Sequence, residues 1–466
     1  MKLAISSQWD DAFLSECAQA GAAEIYCSLQ LGAIGSARPA LCLPGAAVEE
    51  ARRHIERVHS LGMTFNYIAN ALCLGNVEYS LAGRKHLADY FALIDDLGAD
   101  CITLAIPYLI EIVKKEFPRL KVKVSEIANV GSAQRARYYQ EMGADAITLE
   151  IVHNRNFKVL RSIRQALSPQ VELELVVNPA CLFHCPYHDY HNNIVGHTTQ
   201  AGHSLKGYYL DYCMMKCIPE KLVHPEEIVK APWIRPEDLA QYEEIGIHRF
   251  KISNRVGPRS VGRNCLEAYS AGGCENLADL LTPLSLEIEE PPKSSRPAGF
   301  SEQEWQQVVH IWAVPSPAVY IDNRGLDGFL DYFKQDNCYG QCGVGCHYCR
   351  EVADRVVKID SREVEQYVGM IDKLLQPLMG LTVQKEVFKM LWEENLPQTF
   401  EHIMADTPEM FRDVARKAVG SRAEANAGER GASTVTPEDL VKAFMSETPE
   451  VFKADMLESL KREGLA

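Results

Sequence analysis

Short apolar runs alternate with amphipathic segments through the first half of the chain. The runs lie at residues 3–7, 24–29, 64–70, 101–106, 121–127, 146–151, 171–178 and 249–255. Their content of β-branched and aromatic residues and their length predict strands. Between them, residues 47–61, 84–97 and 132–142 repeat their apolar positions at helical spacing. The same phrase introduces two of the strands: Leu97-Gly98-Ala99-Asp100 before Cys101, and Met142-Gly143-Ala144-Asp145 before Ala146. A glycine placed there ends a helix in a left-handed cap, and the apolar run after it suits a parallel strand buried on both faces. Gly21-Ala22-Ala23-Glu24 and Ile245-Gly246-Ile247 are looser copies. Eight such units predict an α/β architecture, a TIM-type (β/α)8 barrel over residues 1–258. A doubly wound sheet is the runner-up, but no glycine-rich nucleotide turn follows the first strand.

Beyond the barrel the pattern changes. Residues 259–300 set Pro283, Pro291, Pro292 and Pro297 among Ser, Gly and Glu, as a linker or excursion would. Residues 301–360 form a short mixed segment, and residues 361–466 are helical throughout. Thr407-Pro408-Glu409, Thr436-Pro437-Glu438 and Thr448-Pro449-Glu450 each read as a helix start, with threonine capping and proline at the first helical position.

Composition narrows the function classes. With 48 basic and 63 acidic residues in 466, the net charge of −15 argues against a general, charge-driven nucleic-acid binder, though not against a local basic groove. The amino terminus turns polar after three or four apolar residues, so no signal-peptide core is expected. The longest apolar stretch, 102–113, contains Pro107 and Glu111 and cannot span a bilayer. The expectation is a cytoplasmic protein without a membrane partner. In a reducing compartment its 15 cysteines are not disulfide candidates. Cys17, Cys27, Cys42, Cys73 and Cys101 read as small core hydrophobes.

Eight other cysteines are clustered. Cys181 and Cys185 follow the seventh strand, and Cys213 and Cys217 come later on the same connection, which spans residues 179–217. Four thiolates at the C-terminal face of a barrel suit an iron–sulfur cluster, and zinc would also accept them. His184, His188, His191, His197 and His203 fall close by, as proton donors, partners to sulfur or ligands of a second metal. The other cluster is Cys338, Cys342, Cys346 and Cys349, read as a second iron–sulfur centre or a zinc site. Its last three cysteines have the CxxxCxxC spacing of radical-SAM enzymes, but such a motif should follow the first strand, and this one follows the eighth.

Strand ends should aim Asn70, Ser125, Glu126, Asn129, Glu150, Asn178, Lys251 and Arg255 at a substrate. Of these, Glu150, Asn178, Lys251 and Arg255 are the candidate catalytic residues. Lys251 and Arg255 alternate with Arg249 on one strand face and are expected to hold a carboxylate or phosphate.

On these residues the chain resembles the collagenase-like U-32 peptidase family over roughly residues 1–255. The resemblance is carried by Gly21-Ala22-Ala23-Glu24-Ile25-Tyr26, residues 121–143 leading to Ala146-Ile147-Thr148-Leu149-Glu150, and residues 171–177. Its most specific part is Ile234-Arg235-Pro236-Glu237-Asp238-Leu239 running into Phe250-Lys251-Ile252-Ser253-Asn254-Arg255. Despite its name, the family implies oxygen-independent hydroxylation in RNA modification and ubiquinone synthesis, a 4Fe–4S cluster on four cysteines, and prephenate as an oxygen source in several branches. By position, Cys181 and Cys213 match cluster cysteines most directly. Cys185 is more tightly spaced than usual, and Cys217 stands in for a ligand that usually comes later. The tail from Thr407 to Phe444 is similar to the small helical domain ending one subunit of light-independent protochlorophyllide reductase.

Together these features predict an iron–sulfur enzyme carrying out oxygen-independent hydroxylation or a related redox modification. An anionic small molecule is the expected substrate, RNA is disfavoured by net charge, and a redox partner protein is the expected associate. The alternatives are an electron-transfer or scaffold subunit, and a peptidase for which no Ser/His/Asp or Cys/His arrangement can be assigned from sequence.

Overall fold

In the computed structural model, eight parallel strands close into a barrel in the order β1 to β8, with β8 pairing back onto β1. The structure describes all residues except 8, 40–44, 205–209, 254–258, 285–301, 303–305, 307–313, 339–340, 380–390, 431, 433, 450–451 and 466. Contacts divide the chain into two compact units, Met1–Leu375 and Gln376–Ala466.

The strands are β1 Lys2–Ser6, β2 Ala22–Cys27, β3 Thr64–Ile68, β4 Cys101–Leu104, β5 Lys121–Val124, β6 Ala146–Thr148, β7 Glu172–Val176 and β8 Arg249–Lys251. All eight predicted runs contain a strand, and most strands stop short of the predicted end. The lost residues at the ends of β5 and β6 enter 3-10 turns, Glu126–Ala128 and Ile151–His153, which lift their polar side chains onto the rim. Helices α1 Asp11–Gln19, α2 Val48–Ser60, α3 Leu81–Asp96, α4 Pro107–Glu116, α5 Ala133–Glu141 and α6 Phe157–Ala166 fill the first six crossovers. Gly98 and Gly143 have φ of 88° and 96°, the left-handed caps that the repeated phrase required.

Side chains facing outward from the strands, such as Ile25, Phe65, Ile102, Ile147, Leu175 and Phe250, are fully buried against the helices. The inside of the barrel is charged, where branched apolar residues are the rule. Lys123, 1% exposed, donates to Glu24 Oε1 and Glu174 Oε2, each at 2.6 Å. Arg249 pairs with Glu24 and, at 2.9 Å, with Glu172. Asn66 donates to Glu24 at 3.0 Å, and Thr148 to Glu174 at 2.8 Å. Above this layer Ala4, Tyr26 and Ile68 form a small apolar plug.

Among the described residues the connection after β7 carries α7 His188–Thr198, α8 Tyr212–Val223 and α9 Glu226–Lys230, with α10 Leu239–Glu243 just before β8. Met215, Ile218 and Leu222 of α8 pack with Tyr367 and Ile371 from the helix Ser361–Met379 in a core separate from the barrel's. After β8 comes α11 Arg259–Ala271, which packs on β1. Residues 259–271, read from sequence as the start of a linker, thus form the barrel's closing helix. The second unit gathers the helices Leu396–Ala405, Glu409–Glu429, Pro437–Glu447 and Lys453–Arg462 around Phe400, Ile403, Ala423, Leu440 and Phe444. Of the three expected threonine caps, Thr436 has the capping-box contacts: Asp439 accepts from its N–H and from its hydroxyl, each at 3.0 Å. The two neighbouring helices begin instead after Pro408 and Phe452. Among the described residues no helix is long and apolar enough to cross a membrane.

Candidate active site at the barrel mouth

The rim of the barrel carries the polar residues expected there, in two kinds of role. Some are consumed in holding loops. Asn70 donates to Ser125 Oγ at 2.8 Å and accepts from the N–H of Ala37 at 2.9 Å. Asn178 is 1% exposed; it donates to the carbonyls of Ser253 and Leu280 and accepts from the N–H of Ser253 at 2.7 Å. This amide ties the exits of β7 and β8 together, which is a positioning role.

Others face the mouth. Glu150 Oε2 lies 3.6 Å from His153 Nε2. Gly131 makes room for that pair, since a Cβ there would collide with both side chains. Glu126 Oε1 lies 3.4 Å from His188 Nε2, and Asp189 Oδ1 lies 3.2 Å from His188 Nδ1. Burial lowers the His188 pKa, but the two carboxylates outweigh it and raise the value to about 9. His188 is therefore an imidazolium at neutral pH. Lys251 Nζ stands 4.2 Å over the Tyr26 ring, and the Tyr26 hydroxyl donates to the Ile252 carbonyl at 2.7 Å. Lys251 and Arg249 do share the inward face of β8. Arg255 lies outside the described residues.

The connection over the mouth brings Cys181, Cys185, Cys213 and Cys217 into one neighbourhood. Cys213 and Cys217 are one helical turn apart on α8, which Asp211 caps by accepting from the N–H of Met214 at 2.9 Å. Burial, with Asp211, Cys217 and Cys185 adding, pushes the Cys213 thiol up to about 12. Burial also takes Cys217 to about 12, with Lys221 opposing and Cys181, Asp211 and Cys185 adding. One turn further along α8, Lys221 is fully buried and donates to the carbonyls of Ala180 at 2.8 Å and Pro283 at 2.5 Å. It has no carboxylate partner among the described residues. A buried ammonium in that position calls for negative charge nearby, and metal-bound thiolates would provide it. The donor set fits a thiolate-bound metal group in composition and charge. Among the described residues no three His, Cys, Asp or Glu side chains are grouped as a metal-ion site.

The nearby histidines divide. His191 Nε2 is 3.3 Å from Asp211 Oδ1, linking α7 to the start of α8. His197 and His203 stack at 4.9 Å, and His184 is exposed with a φ of 52°. Of the five scattered cysteines, Cys17, Cys27 and Cys101 are buried as expected, Cys73 is exposed, and Cys42 lies outside the described residues.

The profile of peptidase family U32 matches residues 12–272, more than half of the chain. The chain belongs to peptidase family U32. This U32 chain is 30% identical over 329 residues to an uncharacterized protease of Methanocaldococcus jannaschii, covering 70% of the chain and 86% of that relative. It is 25% identical over 126 residues to tRNA hydroxylation protein P of Haemophilus influenzae, covering 27% of the chain and 25% of that protein. A solved U32 peptidase aligns with a TM-score of 0.43 at 22% identity, over 55% of the chain and 93% of that structure.

One arrangement in this U32 member escaped the sequence. Ser7 Oγ lies 2.8 Å from His54 Nε2, and His54 Nδ1 lies 2.5 Å from Asp11 Oδ1. Burial lowers the His54 pKa, with Asp11 opposing, so the ring is neutral. Because the carboxylate only accepts, Nδ1 carries the proton and Nε2 accepts from the Ser7 hydroxyl. Ser7 follows β1, Asp11 opens α1 and His54 sits on α2. The three meet only because consecutive crossover helices pack side by side. The available signal was a histidine on the apolar stripe of α2, beside buried Ile55 and Val58.

Proposed function

We propose that this U32 protein binds an iron–sulfur cluster through Cys181, Cys185, Cys213 and Cys217 and carries out oxygen-independent hydroxylation, or a related redox modification, at the barrel mouth. The observation that carries this reading is the buried Lys221, without a carboxylate partner among the described residues, beside the Cys217 and Cys185 thiols. The short match to a tRNA hydroxylation protein supports the reaction class. A bound cluster would supply electron transfer next to the substrate. Lys251 presents positive charge for an anionic group, its ammonium held 4.2 Å over the Tyr26 ring, whereas the charge on His188 is already matched by Glu126 and Asp189. Glu150 with His153 offers an acid–base pair at the rim. An anionic small molecule suits this charge pattern better than RNA. Converting C–H to C–OH with water as the oxygen source releases two electrons and two protons, and a redox partner protein would accept the electrons.

The test is anaerobic turnover of reconstituted protein with candidate anionic substrates and an added electron-acceptor dye, read by mass spectrometry. A gain of one oxygen atom without dioxygen is expected, and Lys251→Met should raise KM about tenfold while kcat changes little. Oxygen gain only in air, or a Lys251→Met effect confined to kcat, contradicts the proposal.

A second reading, peptide hydrolysis, has the Ser7–His54–Asp11 relay in its favour. Against it, Ser7 is only 1% exposed, where a nucleophile must reach substrate. Metal-free protein is expected not to cleave peptides, and Ser7→Ala should cost about 1 kcal/mol of stability. Cleavage by metal-free protein that Ser7→Ala abolishes would establish the hydrolytic reading.

A further inference from the structure

The second cysteine group is folded compactly, although its side chains are not drawn together into a metal-ion site among the described residues. Its centre is a tight knuckle in which the Gln341 carbonyl accepts from the N–H groups of Val344, Gly345 and Cys346 at 3.1 to 3.2 Å. Gly343 supplies the turn with a φ of 75°, and the backbones of Cys342 and Cys346 pair in an isolated parallel β-bridge. Cys349 lies in the first turn of the helix Tyr348–Val356. The Tyr332 hydroxyl lies 3.3 Å from Cys346 Sγ, and the Tyr332 ring stacks on Tyr348 at 4.0 Å.

Arg155, from the loop after β6, runs up against this group. Its guanidinium lies 4.1 Å over the Trp233 ring and 4.8 Å from the Phe329 ring. It donates to the carbonyls of Val229 at 2.7 Å, Ala231 at 2.5 Å and Trp233 at 3.2 Å. The residue is 7% exposed, pairs with no carboxylate among the described residues, and leaves Nε without a partner. A buried cation in this state is costly unless negative charge lies close. Burial lowers its pKa to about 10, and the groups that oppose burial are led by Cys349. Thiols and disulfides are neutral, whereas four thiolates on one metal centre leave it net negative.

Arg155, Cys338, Cys342 and Cys349 line one cavity of about 430 Å³. Phe183 and His184, from the loop bearing Cys181 and Cys185, line it too. We infer that Cys338, Cys342, Cys346 and Cys349 hold a second thiolate-bound metal centre, zinc or an iron–sulfur cluster, with the buried Arg155 guanidinium as its charge partner. Tyr332 donates its hydroxyl hydrogen to the Cys346 sulfur in that state. The inference is independent of the cluster proposed for the barrel mouth.

The experiment is metal and sulfide analysis of the anaerobically purified full chain beside Cys342→Ser, Cys217→Ser and Arg155→Met. Cys342 lies on a partly exposed knuckle, so its replacement leaves the core intact. If zinc occupies the site, Cys342→Ser removes zinc and leaves iron. If iron–sulfur clusters occupy both sites, it halves iron and sulfide. In either case Cys217→Ser spares this centre. Arg155→Met should weaken metal retention against a chelator about ten- to hundredfold, with Arg155→Lys recovering part of it. Unchanged metal content in Cys342→Ser, or a pair of disulfides found among these four residues, would overturn the site. Unchanged retention in Arg155→Met would overturn the charge partnership.

Discussion

Lys123→Met is expected to lower the stability of the first unit by about 3–5 kcal/mol, measured as a shift of its urea unfolding midpoint at constant slope. The ammonium bridges Glu24 and Glu174 inside the barrel at 2.6 Å each, and all three side chains are buried. Methionine fills the space, but both carboxylates then share one remaining strong partner, Arg249. The loss is dominated by stranded negative charge, so the triple replacement Glu24→Gln, Lys123→Met, Glu174→Gln should recover much of it. The same layer sets a pH dependence. Burial works to raise the Glu174 pKa, but Lys123, Lys251 and Arg249 outweigh it and bring it to about 2. A carboxylate depressed in the folded state stabilises it above the unfolded value of 4.5, and that contribution is lost as pH falls toward 2. In Lys123→Met this acid dependence should shrink.

The second large effect belongs to Cys217→Ser. Cys217 is 9% exposed, packs beside Ile218 and Tyr367, and lies one turn from both Cys213 and Lys221 on α8. Serine keeps the volume and helix but lacks the soft sulfur that iron–sulfur clusters require. The variant should fold, lose the share of visible absorption that the cluster at the mouth contributes, and lose turnover entirely. Lys221→Met is the companion: its thiols are intact, yet cluster retention should fall because the buried counter-charge is gone. A Lys221→Met variant that holds its cluster as tightly as the parent would remove the electrostatic support for the proposal.

The barrel was legible because two local signals agreed along the chain: apolar runs of strand length, and glycines such as Gly98 and Gly143 that only a left-handed cap requires. The same grammar hid the limits of the elements. It extended β5 and β6 into residues that form 3-10 turns, and it gave the proline-bearing residues 259–300 no helix where α11 lies. The thiol clusters were legible because metal-ligand spacing is local. The cations that face them were not. Lys221 reads as an ordinary helix lysine, and Arg155 lies roughly two hundred residues before the cysteines it accompanies. The Ser7–His54–Asp11 relay and the Lys123 layer were hidden for the same reason, since partners from different crossovers meet only once the barrel closes.

The central claim rests on what the four thiols at the mouth bind. Iron and acid-labile sulfide should be quantified in the full chain purified without oxygen, alongside Cys217→Ser. Iron and sulfide are expected in equal amounts, with a share of both lost in Cys217→Ser. Parent protein without sulfide, or a Cys217→Ser variant that keeps all of its iron and sulfide, would contradict it.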